Sequence, residues 1–159
     1  MLGGHLTDMR RQVRACLTNK RTSRYSSDVE IERNSSPTID GPSEWFTGVV
    51  RMTPIAAPDP LSLLRIFDVR FDAGARTAWH KHPHGQILYV TDGFGRVGRR
   101  GGPVEEIRPG DTVRIAPDEW HWHGAGPQSS MRHLAVQEAA ADGSTAEFDT
   151  HVTESGYEG

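Results

Sequence analysis

Apolar and polar residues alternate in short runs along most of this chain, with the period of strands rather than helices. In "LLRIFDVRF", residues 63–71, Leu63, Arg65, Phe67, Val69 and Phe71 share one side while Leu64, Ile66, Asp68 and Arg70 share the other. That is the mark of a strand with one face buried. "WFTGVVRM", beginning at Trp45, is rich in aromatic and β-branched residues, and Pro54 is expected to stop it. "QILYVT", "GRVGRR", "VEEI", "TVRIA" and "MRHLAVQE" follow, separated by "DG", "GG", "PGD" and "GPQSS" turn signals. About seven short strands at this spacing predict a sandwich or barrel. After residue 40 no pattern supports a helix of more than three turns, and the chain carries no internal repeat.

The first 36 residues break the pattern. "MRRQVRACLTNKRTSRYSSD" is basic, serine-rich and poor in large apolar residues, so it buries too little surface to offset the entropy of ordering. Met9, Val13, Ala15 and Leu17 leave a short amphipathic helix open as an alternative, and a targeting or nucleic-acid arm as a weaker one. Residues 1–36 are therefore read as a flexible basic extension, and residues 37–159 as the folded domain. At 159 residues and 35% hydrophobic content, one core of ordinary size is the expectation.

Charge narrows the partners. The extension carries net +3 and the remainder net -6, so the folded part offers no general attraction to nucleic acid. Small molecules are the expected partners. Cys16 is the only cysteine, which excludes a disulfide within the chain, and the sequence shows neither a signal-peptide core nor a membrane-spanning run. A cytoplasmic protein is the expectation.

Histidine is distributed unevenly. Six of the eight fall between residues 80 and 133. In "HKHPHGQ", His80 and His82 stand two apart, so on a strand both point the same way. Pro83 and Gly85 then bend the chain, and Gln86 can return its amide oxygen toward the same point. His121 and His123 repeat the spacing after "TVRIA". Taken singly, each is better explained as an ordinary polar residue at a strand end. Taken together, they have the composition and spacing of a transition-metal site.

The two clusters carry a family resemblance. "GARTAWHKHPHGQILYVTDG" resembles the first cupin motif through Gly74, His80, His82, Gln86 and Gly93, with Gln86 where glutamate is usual. "PGDTVRIAPDEWHWHGA" resembles the second, its histidine falling on His121. With "WFTGVVR", "HLAVQE" and "HVTE", the stretch from about Val29 to Tyr157 is similar to the small bacterial manganese-dependent cupin hydroxynitrile lyases. The resemblance implies an all-β, single-domain, jelly-roll-like barrel that binds a divalent transition metal. Manganese is expected first, with iron, nickel or zinc as alternatives.

By the same resemblance His80, His82, Gln86 and His121 are the metal ligands and His133 is a general base. Asp118 replaces the glycine usual in the second motif, and His84 stands where relatives tend to have leucine. A homodimer or homotetramer is expected. Because the resemblance begins near Val29, translation is expected to start there.

A neutral glutamine ligand leaves the metal its full charge and so favours polarising chemistry. His133 shares strand parity with Met131, Ala135 and Gln137, which turns it inward if that side is buried. Phe67, Val69, His123 and Gln137 are candidate substrate contacts, with plain packing or a surface position as the alternative. His84 is expected at the bend in water, and Trp79, Trp120 and Trp122 as packing, Trp122 bracing the metal histidine. "GFGRVGRRGG" opens no helix and so is no phosphate loop, and no serine sits in a G-x-S-x-G context. The expected activity is cleavage or formation of cyanohydrins. A dioxygenase, isomerase or decarboxylase of a small carbonyl or aromatic compound, or a non-catalytic binding cupin, remain as alternatives.

Overall fold

Thirteen short strands and one helical turn make up the described part of this computed structural model, which covers residues 31–33 and 36–159. The readings placed on residues 1–30, including the helix from Met9 to Leu17 and the start at Val29, lie outside the described residues. The chain divides into Met1–Pro37 and Thr38–Gly159, and all thirteen strands belong to the second unit. They are β1 (Ile39–Asp40), β2 (Phe46–Thr47), β3 (Val50–Ala56), β4 (Leu64–Phe71), β5 (Arg76–Thr77), β6 (His80–Lys81) and β7 (Gln86–Gly93). The series continues as β8 (Gly95–Arg99), β9 (Val104–Ile107), β10 (Thr112–Ile115), β11 (His121–Ala125), β12 (Met131–Glu138) and β13 (Glu147–Phe148).

One sheet runs β1-β3-β4-β12-β7-β10, every neighbour antiparallel. The second is built round β11, with β8 and then β9 on one side, β5 and β6 on the other, and β2 and β13 beyond them. Strand period sets the packing: in β12 the side chains of Met131, His133 and Ala135 are buried while Arg132, Leu134 and Val136 are only partly so. Val50, Met52, Val69, Phe71, Leu88, Val90 and Met131 from the first sheet meet Phe46, Ile107 and Ala125 from the second in a shared core.

Pro54 does not end its strand. β3 runs on to Ala56, and the pairing with β4 shifts register between Pro54 and Ala56. The bulge absorbs the amide that proline cannot donate.

Burial along the inner face is graded. On β4, Phe71 and Val69 are 1% and 5% exposed, whereas Phe67 and Arg65 are half-buried. On the facing β12, His133 is fully buried and Gln137 half-buried. The interior therefore opens toward solvent at the Arg65 and Gln137 end.

Trp122 faces away from the histidines of its strand. It packs with Val152 and Tyr157 under the C-terminal segment rather than against His121, as alternation on β11 requires. That segment is fastened by Tyr157, whose hydroxyl donates to the Ala125 carbonyl at 2.7 Å and whose ring lies 4.6 Å from the Arg76 guanidinium carbon. The guanidinium of Arg76 also donates to Glu154 at 2.6 Å, in the terminal turn Glu154–Glu158.

Two tight positions deliver the histidine strands. Gly85 has φ 77°, and a Cβ there would stand 2.5 Å from the Ile115 carbonyl oxygen, so only glycine fits. Asp118 has φ 58°, the only positive φ at a non-glycine residue among the described residues. Its amide donates to the His82 carbonyl at 2.9 Å and so ties the two motifs together. Asp118→Gly removes left-handed strain and is expected to raise stability by about 0.5–1 kcal/mol, whereas Gly85→Ala lowers it by about 2 kcal/mol or more. Denaturant midpoints measure both, and equal effects of one sign would contradict the assignment.

Candidate metal centre

Register brings the histidines together. His121 opens β11 directly opposite His80 of β6, and His82 stands two residues beyond His80 with its ring turned to the same point. Gln86 opens β7 between Ile115 of β10 and Gln137 of β12. The imidazoles of His80, His82 and His121 are all buried, and one nitrogen of each lies within 4.8 Å of the others.

Each ring is held by its Nδ1. His80 Nδ1 donates to the Ala78 carbonyl at 3.0 Å, His82 Nδ1 to Thr145 at 2.6 Å and His121 Nδ1 to Glu119 at 2.9 Å. A proton on Nδ1 leaves the Nε2 lone pair free, the tautomer a metal needs. His82 Nε2 is correspondingly buried with no hydrogen-bond partner.

The fourth group is oriented by a neighbour. Gln86 Nε2 donates to Gln137 Oε1 at 2.7 Å, which turns Gln86 Oε1 toward His121 Nε2, 3.3 Å away. With the His121 proton on Nδ1, two lone pairs face each other and no hydrogen lies between them. Burial pushes His121 down to about 4, so at neutral pH no second proton fills that gap. A cation between the acceptors relieves the repulsion. The donor set, three imidazoles and an amide oxygen, fits a divalent transition metal.

Electrostatics favour the neutral rings throughout. Burial, helped by His121 and His82, holds His80 well below the ordinary imidazole range, and burial also lowers His82 and lowers His123 strongly. Burial takes His133 to about 4. His123 and His133 form a second pair beside the first three, with Nδ1 of His123 and Nε2 of His133 3.2 Å apart. Their outer nitrogens, His123 Nε2 and His133 Nδ1, are buried and unpartnered.

The other expected contacts are arranged round this pair. Val69 lies across the strand pair from His133, and Phe67 lies one step nearer the open end, opposite Ala135. Gln137 orients Gln86 through its amide oxygen. His84 is exposed at the bend.

Two partners of the site were not read from the sequence. Phe148 stacks on His80, with ring centroids 5.1 Å apart and planes at 15°, and Trp45 stacks on its other side. Thr145 acts through its carbonyl, which leaves no side-chain signature. Phe148 is the only aromatic residue between 140 and 156, the one signal that could have marked it.

Residues 67–136 match the cupin domain family. Over 131 residues the chain is 51% identical to the (R)-mandelonitrile lyase of Granulicella tundricola, covering 81% of this chain and 98% of that protein. This chain is a cupin. Among solved structures, a cupin-like protein from Thermotoga maritima aligns with TM-score 0.71 and 38% identity, over 82% of this cupin and 96% of that chain. A cupin 2 conserved barrel domain protein from Rhodopseudomonas palustris shares the fold at TM-score 0.61 and 21% identity, over 72% and 78%. Fold, histidine site and lyase relative together make this a metal-dependent cupin enzyme resembling a hydroxynitrile lyase. Among the described residues no helix is long and apolar enough to cross a membrane.

Gln137→Met releases the Gln86 amide, and affinity for Mn2+ is expected to fall about tenfold or more; unchanged affinity in calorimetric titration would remove the orienting role. In chelator-treated cupin, the buried imidazoles have folded pKa values below the ordinary 6.5. The unfolded chain therefore binds protons first, and stability present above about pH 6.5 is lost as pH falls toward 4. The upper part of that window, about pH 6.5 to 5, lies above the ordinary carboxylate range. Melting points that stay level across it would contradict the depressed values.

Proposed function

We propose that this cupin cleaves and forms cyanohydrins, with His80, His82, Gln86 and His121 holding a divalent transition metal, Mn2+ first among them. The observation that carries the reading is the facing pair of lone pairs on Gln86 Oε1 and His121 Nε2, beside three imidazoles held with Nε2 free. A bound metal would supply Lewis-acid polarisation of a substrate oxygen, undiminished because all four donors are neutral. The lyase relative supports the choice of reaction.

His133 takes the proton of the cyanohydrin hydroxyl. As that O–H bond breaks, the carbonyl forms, the bond to the nitrile carbon breaks, and its electron pair leaves with cyanide. Returning the proton to cyanide gives hydrogen cyanide and restores His133. Burial keeps the ring unprotonated at neutral pH, with a lone pair available to accept the proton. His123 fixes the ring through the 3.2 Å contact, so while both rings are neutral one of the two outer nitrogens carries a lone pair and the other a hydrogen. Val69 and Phe67 bound the space beside it, and His123 and Gln137 complete the substrate's surroundings.

The reading extends to the assembly and its setting. The two sheets close into a jelly roll, and copies associate through the outer face of the first sheet. There Ile66, Val136 and Ile87 stand in register across three strands, with Tyr89 beside them 45% exposed. The protein works in the cytoplasm on a small molecule and not on nucleic acid.

Protein loaded with Mn2+ is expected to release cyanide from mandelonitrile. His133→Ala is expected to retain its metal while kcat falls about 10²–10⁴-fold. Oxygen uptake with a diketone, and no cyanide from mandelonitrile, would replace the lyase with an oxygenase. An equally active His133→Ala would remove the base.

A further inference from the structure

Arg65 lies on the inner face of β4, in the same parity as Phe67, Val69 and Phe71, and its strand partner is Gln137. It is the only charged residue among the inward positions of β4 and β12. Its Nε is buried with no hydrogen-bond partner, and its guanidinium carbon sits 5.8 Å from the centroid of the Phe67 ring. Among the described residues no carboxylate is paired with it. On the outer face, by contrast, Arg132 is paired with Asp68.

A guanidinium so placed costs free energy unless something answers its charge. Desolvation by burial already pulls its pKa down from the ordinary arginine value. Its position says what kind of partner fits. Gln137, opposite it in register, is hydrogen-bonded to Gln86, so Arg65 stands two strands from the candidate fourth metal donor with Gln137 between them, where the interior opens to solvent. None of the four donors is a carboxylate, so a loaded centre and Arg65 together would present positive charge that no carboxylate among the described residues pairs with Arg65 to balance. A ligand entering there is favoured if it brings that anion itself.

We propose that Arg65 is a substrate-recognition residue that binds a carboxylate, so that the preferred substrates are carbonyl compounds, and their cyanohydrins, carrying a carboxylate on the part remote from the reacting carbon. The assignment rests on the metal-site reading above. It selects within the proposed reaction and takes no part in bond making or breaking. Phe67 supplies the apolar surface under the body of the ligand, and the planar fork of Arg65 supplies two parallel donors at the entrance.

The probes are 3- and 4-formylbenzoate against the corresponding formylbenzamides, which share shape and carbonyl but lack the charge. With Mn2+-loaded protein in calorimetric titration, at least one formylbenzoate is expected to bind about tenfold or more tightly than its amide. Arg65→Met should erase that preference and Arg65→Lys should keep part of it. Arg65→Met is expected to melt no lower than wild type, since an unpaired charge gives way to an apolar chain of similar length. Equal binding of acid and amide by wild type, or a preference that survives in Arg65→Met, overturns the proposal. The latter would mean that the carboxylate goes to the metal. Cyanide release from mandelonitrile is scored separately. Release without a carboxylate preference overturns the Arg65 assignment and leaves the lyase standing; a preference without release does the reverse.

Discussion

Three imidazole N–H groups donating to the carbonyls of Ala78, Thr145 and Glu119 determine what the rest of the site can be. A histidine can present either nitrogen, and a buried one with a free choice would settle on whichever tautomer finds a partner. Here the backbone makes the choice for all three, so the lone pairs converge before any ligand arrives. Burial keeps the rings neutral, and register puts His80 and His121 face to face. The Gln86 amide is set by the same kind of constraint, a hydrogen bond on its far side. Chemistry at the centre depends on donors whose partners point away from it.

The sheet supplies the second half of the design through graded burial. One end of the inner face is sealed by Phe71, Met131 and Val50, and the other is half open at Arg65 and Gln137. The paired histidines His123 and His133 sit toward the sealed end and Gln86 toward the open one. A ligand that enters past Arg65 therefore meets a cation, then an aromatic ring, then the histidines, in the order that β4 and β12 lay them out.

Much of this was legible in the chain because strand period and histidine spacing are local. Alternation in 63–71 correctly placed Arg65, Phe67, Val69 and Phe71 on one face, and the two-residue spacing of His80 and His82 made their convergence visible. Asp118 was legible as a departure from glycine, and its positive φ is the geometric reason that glycine is usual there. Pro54 misled because the bulge that accommodates it is fixed by pairing with β4, a long-range fact. Trp122 misled in the same way. Its side of β11 is covered by Val152 and Tyr157 from the distant C-terminus. Carbonyl partners such as Thr145 have no side-chain signature at all, and Arg65 drew no notice because an arginine in an alternating strand reads as solvated until its neighbours are known.

The fastening of the C-terminal segment bears on how the protein matures. Thr145 and Phe148 come later in the chain than any of the side chains that converge at the centre, yet they hold His82 and His80. During synthesis His80, His82, Gln86 and His121 leave the ribosome before these supports do, so the nascent chain carries the four side chains without the carbonyl and the ring that orient two of them. Metal capture with the finished geometry would thus wait until residues 145–148 are free to pack. Tyr157, gripping Ala125 and Arg76, fastens the stretch of chain that follows these supports.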